Sequence, residues 1–111
     1  MDCTHHQEGS ISIISIKGDI DLSRSPNLRQ LFQSKAHDKC PALLVDFTQV
    51  NYIDSSGLAT LVEYYQTSRA YNGKIALAGL SPRVRSVFDL VRLGEILNIY
   101  NSLDEARQAL S

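Results

Sequence analysis

Polar and apolar residues alternate along Ser10-Ile11-Ser12-Ile13-Ile14-Ser15-Ile16. A period of two sends one set of side chains inward and the other outward, as in a strand of a half-covered sheet. Lys17-Gly18 reads as its end, and Glu8-Gly9 as a turn from a first strand around Thr4 to Gln7. Ser25-Pro26 then opens a helix. Serine accepts from the free amides of a first turn, and proline loses nothing at the first helical position. Leu28, Leu31, Phe32 and Ala36 recur at helical spacing, and Cys40-Pro41 stops the segment.

Ala42-Leu43-Leu44-Val45 is a nearly unbroken apolar run, which suits a central strand covered on both faces. The stretch from Asp46 to Ile53, read as strand giving way to loop, leads to Asp54-Ser55-Ser56-Gly57. A second helical stripe follows, with Leu58, Leu61, Val62 and Tyr65, and Asn72-Gly73 ends it with glycine at a left-handed position. Lys74-Ile75-Ala76-Leu77-Ala78 reads as a further buried strand. Ser81-Pro82 repeats the capping device ahead of Val84, Val87, Phe88 and Val91, and Gly94 breaks that helix. Ile96 to Tyr100 is a last strand. Ser102 and Glu105 form a capping box before Leu103, Ala106 and Leu110, which face inward.

The predicted order is β-β-α-β-α-β-α-β-α. Strands alternating with crossover helices imply an α/β fold with a mixed, mostly parallel sheet of four to five strands and about four helices. The first two strands add an antiparallel edge, and the second sheet face is less covered than the first. With 111 residues and neither repeat nor linker, residues 1–111 form one domain.

Charge and composition narrow the function. Eleven basic residues against twelve acidic ones give a net charge of -1, so the footprint of a protein that grips phosphate backbones is missing, and no direct nucleic-acid partner is expected. No apolar run reaches the ~20 residues that span a bilayer, so no membrane insertion is expected. The start lacks the basic and apolar regions of a secretory signal. Cys3 and Cys40 have no CxxC spacing, which makes a reducing cytoplasm the expected location. Cys3, His5 and His6 read as solvated strand residues rather than metal ligands.

The candidate chemistry lies at Ile53-Asp54-Ser55-Ser56-Gly57-Leu58, where a strand gives way to a helix. In open α/β sheets, functional groups gather at the carboxyl ends of strands. The bland reading is a helix cap and nothing else. A hydrolase would need a GxSxG elbow and a histidine base, but the only histidines are His5, His6 and His37. GxxxxGK[ST] and GxGxxG are absent, and the Asp19-x-Asp21 pair is weak as a metal signal. Neither an enzyme activity nor a cofactor is expected. A serine at a helix start can instead be phosphorylated, with the free amides holding the phosphate. The modification adds about -1.5 to -2 charges. At ~6 Å from an acidic group, each unit charge costs about 0.7 kcal/mol in water and nearly 3 kcal/mol at an effective dielectric of ~20. Two charges would then weaken a complex by roughly 10- to 1,000-fold or more.

Three separated segments resemble one family. Gly18-Asp19-Ile20-Asp21 resembles the Gly-acid-aliphatic-Asp motif of STAS domains. Val45-Asp46-Phe47 through Ile53-Asp54-Ser55-Ser56-Gly57-Leu58 resembles their central signature. Ser81-Pro82-Arg83-Val84, leading to Phe88 and Leu93, resembles their third-helix segment, so the likeness runs from about Ile11 to Leu110. The subgroup most similar is the stand-alone bacterial anti-sigma factor antagonists. That resemblance implies binding to an anti-sigma factor, often a serine kinase, and release of a sigma factor. It implies phosphorylation at Ser55, directly after the motif aspartate, and resetting by a phosphatase. It places partner contacts at Asp21, Ser23, Arg24, Asp54, Ser56, Gly57 and Leu58. The sequence departs from the family at Arg24-Ser25-Pro26, where a small hydroxyl residue and alanine are common. Two other readings compete: a non-switching STAS subunit of a membrane assembly, such as a lipid-transport ABC complex, and a nucleotide-binding module. Weak self-association through the free edge of the first strands stays open.

Overall fold

The computed structural model describes residues 2–111. Five strands form one sheet in chain order: β1 (Asp2–Glu8), β2 (Ile11–Ile20), β3 (Ala42–Ile53), β4 (Lys74–Ala78) and β5 (Asn98–Tyr100). Helices α1 (Ser25–His37), α2 (Ser55–Ser68), α3 (Pro82–Leu90) and α4 (Leu103–Leu110) follow β2, β3, β4 and β5 in turn. β1 pairs antiparallel with β2, and every other pairing is parallel. The α/β class, the mixed sheet and the element order all agree with the expectation from sequence.

Two cores of unequal size hold the layers together. On one face, Ile14, Ile16, Leu43, Val45 and Phe47 pack with Leu28 and Phe32 of α1, Leu61 of α2, and Val84 and Phe88 of α3. On the other, Ile11, Ile13, Leu44, Ala76 and Ala78 pack with Ala106 and Leu110 of α4. The half-covered reading of β2 is therefore corrected. Ile11 and Ile13 point one way and Ile14 and Ile16 the other, so both faces of β2 are buried. The doubled Ile13-Ile14 breaks the simple alternation that suggested one exposed face.

The sequence also placed the strand ends too early. β2 runs through Lys17-Gly18 to Ile20, with register shifts between Ser15 and Lys17 and between Gly18 and Asp19. Gly18 sits at φ 102°, a backbone conformation that side chains disfavour, so glycine lets the strand kink and continue. β3 likewise extends through the stretch read as strand giving way to loop, and Ile53 ends up opposite Ile20. The two longest strands thus finish side by side, and the residues after each, Asp21 and Asp54, leave the sheet together.

Smaller differences have local causes. Ser25 is the first residue of α1 and is buried rather than capping, and Arg24 holds the cap position without a side-chain bond. The Asp21 carbonyl accepts from the amides of Arg24 and Ser25 at 3.1 and 2.8 Å instead. Asn72, not Gly73, takes the left-handed conformation (φ 59°). Val91 lies beyond the end of α3 and is 53% exposed. The last strand begins at Asn98 rather than Ile96. Ser81 and Ser102 do cap α3 and α4, through the amides of Val84 and Glu105.

Candidate functional site

Asp54 is the hub of the site. It is the N-cap of α2, in extended conformation, and its amide donates to the Ile20 carbonyl at 3.1 Å. Its Oδ1 accepts from the Ser56 amide (2.9 Å), the Ser56 hydroxyl (2.5 Å) and the Gly57 amide (3.2 Å). Its Oδ2 accepts from the Leu22 amide at 3.1 Å. One carboxylate therefore ties the mouth of α2 to the loop between β2 and α1. The Ser56 hydroxyl, ahead of the amides, holds this carboxyl below its ordinary range, so it is anionic at neutral pH.

Asp21 begins the neighbouring loop. Its Oδ1 accepts from the Ser23 amide (3.1 Å) and hydroxyl (2.7 Å), and that hydroxyl is the main reason its carboxyl also lies low. Arg24 directs Nη1 to the Asp19 carbonyl at 3.4 Å, so its head group is anchored to its own loop. The structure thus brings Asp21, Ser23, Arg24, Asp54, Ser55 and Ser56 to one end of the sheet.

The two serines of the motif differ in what they can do. Ser55 is exposed at the first position of α2, and no group among the described residues holds its hydroxyl. Ser56 is half-buried, and its hydroxyl is committed to Asp54. Gly57 and Leu58 face inward. A Cβ on Gly57 would lie 2.7 Å from Ile20 Cγ2 and 2.8 Å from Ile53 Cγ1, so its bareness lets α2 settle onto the two strand ends. Leu58 is 8% exposed and belongs to the core. These two hold the helix in place rather than presenting a side chain to solvent.

One expectation about the phosphate changes. The first-turn amides of Ser56 and Gly57 already donate to Asp54 Oδ1, and that of Leu58 to the Asp54 carbonyl. A phosphate on Ser55 would sit beside a charged carboxylate, not in a vacant cradle of amides. Its charge is then felt more strongly at the surface. Sequence reasoning also missed Leu22, which is 74% exposed although its amide is bound to Asp54. The available signal was an apolar residue set among Asp21, Ser23 and Arg24 in a loop. The histidines stand on β1 and at the end of α1, on segments that take no part in this site.

An α/β domain with this strand order, and with an Asp-Ser-Ser-Gly helix mouth beside a Gly-Asp-Ile-Asp strand end, is a STAS-type domain. Residues 4–106 match the STAS domain family, and the chain belongs to it. An anti-sigma-B factor antagonist of Listeria monocytogenes is 30% identical over 88 residues, covering 79% of this chain and 77% of the relative. The crystal structure of an anti-sigma factor antagonist from Mycobacterium paratuberculosis aligns with a TM-score of 0.91 at 27% identity, over 98% of this chain and 92% of that one. The phosphorylated form of the Bacillus cell fate determinant SpoIIAA shares the fold, with a TM-score of 0.76 at 19% identity, over 99% of this chain and 100% of that one.

Proposed function

We propose that this chain is an anti-sigma factor antagonist whose grip on its partner is released by phosphorylation of Ser55. The partner is an anti-sigma factor that is itself a serine kinase, and its capture frees a sigma factor. A phosphatase resets the modified form. The domain acts in the cytoplasm as a binding module and catalyses nothing itself. The observation that carries this reading is the contrast between the two serines: Ser55 is exposed with an unengaged hydroxyl, while that of Ser56 is bound to Asp54. The relatives named as anti-sigma factor antagonists, and a protein of this fold solved in phosphorylated form, support it.

The physical logic is an asymmetry. The Ser55 hydroxyl makes no bond that the fold depends on, so a phosphate there leaves the domain intact. The same phosphate adds a dianion to a face already carrying Asp21 and Asp54. Any partner complementary to the unmodified face meets a changed field, and the penalty is multiplied as water is excluded.

Intact-mass spectrometry after incubation with ATP and a serine-kinase anti-sigma factor from the source organism tests this. Wild type should gain the mass of one phosphate, and Ser55→Ala none. Modification that persists on Ser55→Ala would place the switch at another residue. Ser55→Asp that co-purifies with an ABC-type ATPase as wild type does would favour a passive membrane-assembly subunit instead.

A further inference from the structure

Ser55 explains how a complex is released but not what holds it. Its hydroxyl contributes little affinity, and the groups around it are polar. Leu22 is the exception, a leucine side chain 74% exposed within a loop whose backbone is fixed on both sides. Its own amide donates to Asp54 Oδ2 at 3.1 Å. The next residue, Ser23, is bound twice to Asp21 Oδ1, and the Asp21 carbonyl accepts from the Ser25 amide at 2.8 Å. A rigid backbone that presents an apolar side chain to water forgoes hydrophobic burial in the free protein and loses little entropy when a partner covers it. Tyr52, 45% exposed, stands opposite Asp19 in the pairing of β2 with β3, on the sheet face away from the buried Ile20 and Ile53.

The surroundings specify what would cover it. Asp19 and Asp21 lie on this segment and Asp54 is bound to it, and Arg24, the one basic residue between Asp19 and Ser25, turns its Nη1 to the Asp19 carbonyl. A surface of this kind is complementary to an apolar pocket with cationic side chains at its rim. Resting on the function proposed above, we infer that Leu22 is the apolar anchor of the complex, inserted into such a pocket on the anti-sigma partner. Leu22 then sets affinity and Ser55 sets release, and Asp54 links them structurally, since one carboxylate positions both the loop and the helix mouth.

The test measures dissociation constants by titration calorimetry, with the purified serine-kinase anti-sigma factor that phosphorylates Ser55 as the probe. Leu22→Ala should bind about 10- to 100-fold more weakly, from the loss of one buried leucine side chain. Leu22→Met should stay near wild type. Leu22→Lys should bind more weakly than Leu22→Ala, because it brings a cation to a cationic rim. Leu90→Ala is the control. Leu90 is 84% exposed at the C-terminal end of α3, away from the mouth of α2, and its removal should leave binding unchanged. Thermal unfolding of Leu22→Ala should match wild type, since the side chain lies outside both cores. Equal binding by wild type and Leu22→Ala would overturn the anchor while leaving the switch standing, provided Ser55→Glu still loses the partner. Wild-type affinity in Ser55→Glu would instead overturn the switch, whatever Leu22 does. A Leu22→Lys variant that binds more tightly than Leu22→Ala would overturn the cationic rim.

Discussion

Gly57→Ala sets two effects of opposite sign against each other. Alanine is favoured over glycine in a helix interior by about 1 kcal/mol, and by less in the first turn, where Gly57 stands three residues after the cap. Propensity alone therefore predicts a slightly more stable protein. The packing predicts the reverse. The added methyl would lie 2.7 Å from Ile20 Cγ2 and 2.8 Å from Ile53 Cγ1, both too close for a real contact. Neither side chain has room to retreat, since Ile20 is 0% exposed and Ile53 2% exposed. Relief requires α2 to lift by several tenths of an ångström, and overpacking of this kind costs about 1–3 kcal/mol. The net expectation is a loss of about 1–2 kcal/mol, or a fall in melting temperature of roughly 5–10 °C for a chain of this size. Calorimetric melting of wild type and Gly57→Ala would read it. The same pair in an Ile20→Ala background identifies the cause, because removing the nearer of the two obstructing atoms and opening space beside the other should shrink the penalty. A rise in melting temperature for Gly57→Ala, or an identical penalty in both backgrounds, would refute the claim that the close approach of α2 to the strand ends requires glycine. On the function proposed above, the lifted helix should also present Ser55 poorly, so modification of Ser55 by the kinase should slow along with the loss of stability.

Other expectations follow from the same contacts. Asp54→Ala should cost about 0.5–2 kcal/mol through the lost cap. Its dependence on pH has a defined sign. The folded carboxyl is held low, chiefly by the Ser56 hydroxyl, so its contribution is present above the unfolded value near pH ~3.9 and fades as pH falls through the folded one. Urea unfolding should show a constant gap between wild type and Asp54→Ala near neutrality that closes in acid, and a gap independent of pH would be contrary evidence. Phe88→Ala should cost about 3–5 kcal/mol, because the ring is 0% exposed and packs edge-on to Phe47 at 6.0 Å between centroids. A loss under 1 kcal/mol on denaturant unfolding would show that this core relaxes more than its packing implies. Arg107 clamps Glu8 with contacts of 2.8 and 3.3 Å, joining α4 to the end of β1. Arg107→Ala should change global stability by only about 0.2–1 kcal/mol. It should nonetheless speed amide exchange along β1, and unchanged exchange there would mean that strand pairing alone holds the edge.

The sequence revealed most where one local rule decides the outcome. Ser81-Pro82 and Ser102 to Glu105 announced their helices because a cap needs only its own first turn. It misled where distant residues decide. Lys17-Gly18 resembled a strand end because glycine weakens a strand, yet here the left-handed φ of Gly18 lets β2 bend and keep pairing with β3. The stretch from Asp46 to Ile53 read as strand giving way to loop, but pairing with β2 keeps it strand through Ile53. Those two extensions build the site: only strands that reach Ile20 and Ile53 bring Asp21 and Asp54 side by side. The Asp-Ser-Ser-Gly motif could be seen in the chain, but the division of labour within it could not. Which serine is free depends on a bond from Ser56 back to Asp54, and which apolar residue is presented depends on a bond from Leu22 across thirty-two positions to the same carboxylate. A single aspartate therefore connects the two segments that carry the candidate positions. It caps the helix, occupies the hydroxyl of one serine so that the other stays available, and fixes the loop that presents an exposed leucine.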